Sequence, residues 1–142
     1  MPAPNTRSLV ERYVDSVWNN ANPGDLDELT TEDFSYHLGL QPPRSRAEML
    51  EFLRSTHEAF PDWRVEIVQI LSERETVAIR WQGEVTHLGE FHGIPPTGQK
   101  IQVAGINFYR IDGGLVAEEW EQTDSLSMLQ QMGVLLGKKG DQ

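Results

Sequence analysis

Two patterns in this sequence predict an α+β fold with its helices segregated from its sheet. Apolar residues recur at helical spacing up to Phe60, and from Trp63 onward they alternate with polar ones at period two until a last short helical run. A length of 142 residues suits one core. Residues 1–142 are therefore read as a single domain, with its core at about 5–133 and a frayed tail at 137–142.

The elements follow in chain order. Between residues 5 and 20, Leu9, Val10, Tyr13, Val14, Val17 and Trp18 fall on one helical face. Asn22-Pro23-Gly24 stops that helix, and Asp25 is placed to cap a short second one carrying Leu26 and Leu29. Residues 34–38 read as a short strand. Ser45 and Glu48 make a capping-box pattern ahead of Met49, Leu50, Leu53 and Phe60, a third helix that Pro61 ends. Alternation then marks strands at 63–72, 76–88, 99–111 and 115–123, the last two joined by the turn Asp112-Gly113-Gly114. A helix at 125–132 closes the chain.

Composition narrows the function. Twelve Lys and Arg against 22 Asp and Glu leave a net charge of −10, with no basic stripe to follow a phosphate backbone, so no nucleic-acid partner is expected. The absence of cysteine removes disulfides, thiolate metal sites and cysteine nucleophiles, and suits a reducing compartment, with cytoplasm the default. No stretch reads as an export signal or a membrane span. The four histidines, His37, His57, His87 and His92, lack metal-ligand spacing, and no nucleotide-binding glycine motif or serine-hydrolase elbow occurs. Neither a metal nor an organic cofactor is expected.

Candidate chemistry gathers near the last strand. If Trp120 points to the core, Gln122 and Asp124 share its parity, and Asp124 ends the strand where a pocket can open. A carboxylate among apolar walls has its charged form disfavoured, which suits general acid/base work. The same Asp124 can instead cap the helix beginning Ser125-Leu126-Ser127. His87 follows the apolar face of the strand carrying Val77, Ile79, Trp81 and Val85, as a core histidine or a partner of Asp124. His57 looks inward from the third helix and His37 lies on the short strand, both more in keeping with structural roles. The loop from Gly89 to Gly98 is either a long hairpin connection or a lid.

Several stretches together carry a resemblance: Phe60-Pro61-Asp62, Thr86-His87-Leu88-Gly89-Glu90-Phe91, Gly93-Ile94-Pro95-Pro96-Thr97-Gly98, Tyr109-Arg110-Ile111-Asp112-Gly113, Glu118-Glu119-Trp120-Glu121-Gln122-Thr123-Asp124 and Leu129-Gln130-Gln131-Met132-Gly133. The chain resembles the SnoaL-like polyketide cyclases, or ester cyclases, from the first helix to about Gly133. That resemblance implies a cone-shaped nuclear transport factor 2-like α+β barrel, with N-terminal helices packed in a strongly curved antiparallel sheet around a cavity. It also implies aldol closure of a polyketide ester, with Asp124 as acid/base and His87 or Gln122 bonding the developing oxyanion.

Substrate contacts are then expected from Gln122, Trp120, Asn107, His37 and His57, with apolar walls from Trp18, Phe34, Phe60, Trp81, Phe108, Trp120 and Met132. The partner is a small apolar or polyketide-like molecule. A homodimer is expected through the exposed sheet face, which carries Ile106 and Phe108 among polar residues. Phe108 figures in both expectations. Two other readings stay open: a hydrolase or isomerase using Asp124 with Gln122 or Asn107, and a non-catalytic ligand-binding module.

Overall fold

Asn5 begins the first helix by accepting from the backbone N–H groups of Arg7 and Ser8, a side-chain cap that satisfies two donors the helix cannot. The computed structural model describes residues 5–134, so the tail expected at 137–142 lies outside the described residues. Helix α1 spans Thr6–Tyr13 and continues into a π-helical turn, Val14–Trp18. Helix α2 (Pro23–Leu29) is capped by Asn22, whose side chain accepts from Asp25 N–H. Asp25 therefore sits in the first turn instead of at the cap, because Pro23 is well suited to a first helical position and moves the start upstream.

Strand β1 (Thr30–Leu38) is longer than the short strand expected, and α3 (Arg46–Ala59) carries the full Ser45/Glu48 capping box. Strands β2 (Glu66–Glu73), β3 (Thr76–Thr86), β4 (Lys100–Asp112) and β5 (Leu115–Thr123) follow, and α4 (Ser125–Gln131) ends the series. The tight β4–β5 connection uses Gly113 and Gly114, both at positive φ, where a side chain would be strained.

The five strands form one sheet in the order β1-β5-β4-β3-β2. Four of them pair antiparallel as consecutive neighbours, whereas β1 joins the far edge parallel to β5. The sheet is therefore mixed and not wholly antiparallel. The pairing of β1 is long-range and leaves no turn signal in the sequence.

The helices cover one sheet face. Val77, Ile79, Trp81 and Val85 of β3 and Ile101, Val103, Tyr109 and Ile111 of β4 are buried with Val10, Tyr13, Val17, Met49 and Leu53 from the helices in one core. Gly105 lies beside Trp81 in the ladder, and a Cβ there would come within 2.4 Å of the indole. Its absence lets the Trp81 ring lie over β4 and donate to Asn107 Oδ1 at 2.9 Å. Among the described residues no helix is long and apolar enough to cross a membrane.

Candidate active site

A bulge decides which side chains of β5 enter the interior. Ile111 pairs with Val116 but Arg110 pairs with Glu118, which leaves Ala117 unpaired, and Val116 and Ala117 are both buried. The extra residue inverts the parity for the rest of the strand. Glu119 and Glu121 are turned inward, while Trp120 and Gln122 are exposed. This corrects the inward expectation for Trp120, Gln122 and Asp124, which carried one alternation from Val116 straight through the bulge.

Glu119 is fully buried and collects donors from three elements. Its Oε1 accepts from Tyr13 Oη at 2.7 Å, and its Oε2 accepts from Tyr109 Oη at 2.7 Å, Trp18 Nε1 at 2.8 Å and Asn107 Nδ2 at 2.9 Å. The π turn accounts for two of these. Tyr13 and Trp18 are five residues apart, which in an α-helix would point them about 140° away from one another, whereas an i→i+5 repeat brings them close to the same face.

Glu121, two residues on, accepts from Tyr36 Oη at 2.8 Å and from the Thr123 hydroxyl. Burial, then the neighbouring charge of Glu121, push the Glu119 carboxyl up to about 7, against the pull of its hydrogen bonds. Burial raises Glu121 as well, against its bonds from Thr123 and Tyr36. Burial, and after it the nearby carboxylates, hold the hydroxyls of Tyr13, Tyr36 and Tyr109 well above 10, so all three remain donors.

Two neighbouring spaces meet this cluster. A chamber of about 10 Å³, room for roughly one water, is lined by Trp18, Trp63, Trp81, Asn107, Tyr109 and Glu121 among others. A pocket of about 220 Å³ opens outward past Phe52, Thr56, Phe60, Phe91 and Met128. Trp18, Trp63 and Glu121 line both. The pocket is smaller than the roughly 300–1,000 Å³ of drug-sized sites. It suits a small molecule or one part of a larger one.

The expected site residues divide accordingly. Trp18, Phe60, Trp81 and Asn107 line these spaces, and Gln122 borders the pocket from the exposed face of β5. Phe34 is buried beside Tyr13, with ring centroids 6.4 Å apart, and stays behind the cavity wall. Met132 is likewise buried in the core. Phe108 is half exposed and faces away from the cavity. Trp120 stacks on His37 on that outer surface, centroids 5.3 Å apart, and His37 also meets Glu118 Oε2 at 3.1 Å. His57 Nε2 donates to the Trp18 carbonyl at 2.8 Å, a structural bond.

His87 is buried against Phe60, and its Nδ1 accepts from Thr97 N–H at 3.3 Å. It ties down the end of the 89–98 loop and is absent from the linings of the two neighbouring spaces. Asp124 is exposed and accepts from Ser127 N–H at 3.1 Å as the N-cap of α4. Replacing Asp124 by Ala is therefore expected to cost about 1 kcal/mol of stability in urea unfolding, with no change in ligand affinity at the pocket. A large loss of affinity without loss of stability would return the residue to the site.

Sequence reasoning missed Glu119, Glu121, Tyr13, Tyr36, Tyr109 and Trp63. One signal was available: three tyrosines at inward positions each need a buried partner for the hydroxyl, and two carboxylates on one strand face provide it. Among the described residues no cluster of three or more His, Asp or Glu is arranged to hold a metal.

Comparison with known proteins bears on this arrangement. The profile of the SnoaL-like polyketide cyclases matches residues 8–132. The chain belongs to the SnoaL-like polyketide cyclase family. No curated protein matched the chain. Among solved structures, IdmH of Streptomyces antibioticus, described as a candidate polyketide cyclase, is 29% identical over 92% of this chain and 99% of its own, with a TM-score of 0.79. AclR of Streptomyces galilaeus, described as a candidate hydroxylase, is 27% identical over 95% of this chain and 89% of its own, with a TM-score of 0.82. A SnoaL-like protein of Jannaschia sp. CCS1, 21% identical over 92% of each chain with a TM-score of 0.85, shares the fold. The helices and five-stranded mixed sheet are thus the nuclear transport factor 2-like α+β arrangement of SnoaL-like proteins.

Proposed function

We propose that this SnoaL-like protein closes a ring on a polyketide-type substrate by acid/base catalysis, with Glu121 as the catalytic residue. The observation that carries the reading is one carboxyl that is buried, raised in proton affinity and shared by both spaces of the cavity. Such a group changes protonation state readily at the point where a substrate carbon can be held. Glu121 removes a proton from a methylene between two carbonyls, and the electron pair moves onto a carbonyl oxygen. The enolate carbon then attacks the carbon of a third carbonyl farther along the chain, and the resulting alkoxide takes the proton back from Glu121. Substrate and product are isomers. Aromatic walls from Trp18, Phe52 and Phe60 fold the chain so that the two carbons meet.

A second reading rests on the chamber, which has room for roughly one water beside Glu121 and Asn107. Glu121 would there activate the water for hydrolysis. Incubation with an open-chain β-keto ester that carries a further ketone along its chain, followed by mass spectrometry, separates the two. Cyclisation leaves the mass unchanged while retention time shifts, hydrolysis adds a water that carries ¹⁸O from labelled solvent and splits the ester, and an unaltered substrate refutes both.

We also propose a homodimer through the outer sheet face, where Ile106, Phe108 and Trp120 are exposed and Phe108 pairs with Trp120 in the ladder. Light scattering should give twice the chain mass of 16.1 kDa. A monomer at micromolar concentration would refute the dimer without touching the chemistry.

A further inference from the structure

Three buried polar atoms find no hydrogen-bond partner among the described residues: Arg44 Nη1, Trp63 Nε1 and His87 Nε2. A buried donor without an acceptor is uncommon and destabilising, so each needs a reason. Arg44 is only half-buried, lies 4.5 Å from the Phe52 ring centroid and donates through Nη2 to Gln41. His87 is packed behind Phe60 and lines neither space of the cavity. Trp63 differs from both. It is 8% exposed, lines the chamber as well as the pocket, and among the described residues shares that double position only with Trp18 and Glu121. The Trp18 N–H is already given to Glu119. Trp63 is thus the one residue of this shared wall whose indole N–H has no partner among the described residues.

The ring is also held in place. The Trp63 backbone N–H donates to the Phe60 carbonyl at 2.9 Å in the turn after α3. Asp62, the preceding residue, accepts from both the N–H and the hydroxyl of Thr86 on β3 at 2.8 Å. The indole packs between Phe60, 5.9 Å away between centroids, and Trp81, 6.3 Å away. A donor fixed before the ligand arrives stabilises developing charge without having to reorganise.

We propose that Trp63 Nε1–H is the hydrogen-bond donor to the carbonyl oxygen of the bound substrate that becomes the enolate oxygen. The inference rests on the acid/base reading of Glu121 and adds the second half of its first step. As the C–H bond breaks and its proton passes to the Glu121 carboxylate, the electron pair moves through the new C=C bond onto this oxygen. The indole N–H then faces an anion in place of a neutral carbonyl, and the bond strengthens.

The test follows the indole N–H signals of the four tryptophans in ¹H–¹⁵N correlation spectra, assigned by single Trp→Phe variants, while pentane-2,4-dione is added to the intact protein. The Trp63 signal should move downfield. The signals of Trp18 and Trp81, already bonded to Glu119 and Asn107, should move less, and that of Trp120 on the outer face should stay. Trp63→Phe, which keeps an aromatic ring and loses the donor, should weaken binding about fivefold, read from the backbone amides of Gly39 and Phe52. If Trp63→Phe fails to fold, the three other variants assign the remaining signal by elimination and the wild-type titration still decides. Shifts at Gly39 and Phe52 with Trp63 unmoved would overturn the inference and leave the Trp63 indole a packed wall of the cavity. No shift at any pocket amide would refute the carbonyl-binding reading itself, and this inference with it.

Discussion

Glu121→Gln is expected to lower turnover by about 10²- to 10⁴-fold, the usual range for loss of a general acid/base group, while the protein stays folded. The substitution keeps nearly the same volume in a closely packed interior. The Gln carbonyl still accepts from Tyr36 Oη, and the Thr123 hydroxyl can rotate to accept from the new amide where it donated to the carboxylate. What disappears is the ability to take up and return a proton. Steady-state kinetics on the cyclised substrate, set beside circular dichroism of the variant, make the measurement. Asp124→Asn, which alters only a surface helix cap, should leave turnover within about twofold. The reverse pattern, with Glu121→Gln active and Asp124→Asn dead, would transfer the chemistry to Asp124 and refute the site described above.

Much of the fold was legible because it is written in local patterns. The Ser45/Glu48 capping box, the Asp112-Gly113-Gly114 turn and the alternation from Val77 to Val85 all appear where periodicity and turn chemistry put them. The family resemblance pointed to the same architecture, and the match over residues 8–132 bears it out. Three features were hidden for physical reasons. The π turn at Val14–Trp18 leaves the apolar spacing helical to the eye, yet rotates Trp18 toward Tyr13. The parallel pairing of β1 with β5 depends on residues about 80 positions apart, such as His37 and Trp120. The unpaired Ala117 costs one step of alternation and inverts the inward set that follows. That last feature governed the site: a strand read without its bulge puts Trp120 in the cavity and two carboxylates in water. The opposite arrangement is stable because five neutral donors from α1, the π turn, β1 and β4, together with Thr123, stand ready for those carboxylates.

Glu119→Leu should be strongly destabilising, costing about 3–5 kcal/mol in urea unfolding, because each buried donor left without an acceptor costs about 1–3 kcal/mol. Leucine fills most of the space but leaves the hydroxyls of Tyr13 and Tyr109 and the N–H groups of Trp18 and Asn107 without their acceptor. Glu119→Gln should cost less, since one carbonyl oxygen remains, and it carries the sharper test in its pH dependence. In the native protein Glu119 holds its proton up to about pH 7, whereas its ordinary value is 4.5. The folded state therefore binds more protons than the unfolded one in that window. This stabilisation is complete below about 4.5 and is lost as pH rises through 7, a change of about 3 kcal/mol. Glu121, also raised, acts with the same sign. Glu48, Asp62 and Glu118 are held below their ordinary values and act in the opposite sense, but only below that window. The wild-type urea midpoint should thus fall between pH 5 and 8, and Glu119→Gln should flatten most of that slope by removing the group that titrates. An equally steep fall in the variant would mean that Glu119 is ionised throughout, its four donors outweighing both burial and the charge of Glu121.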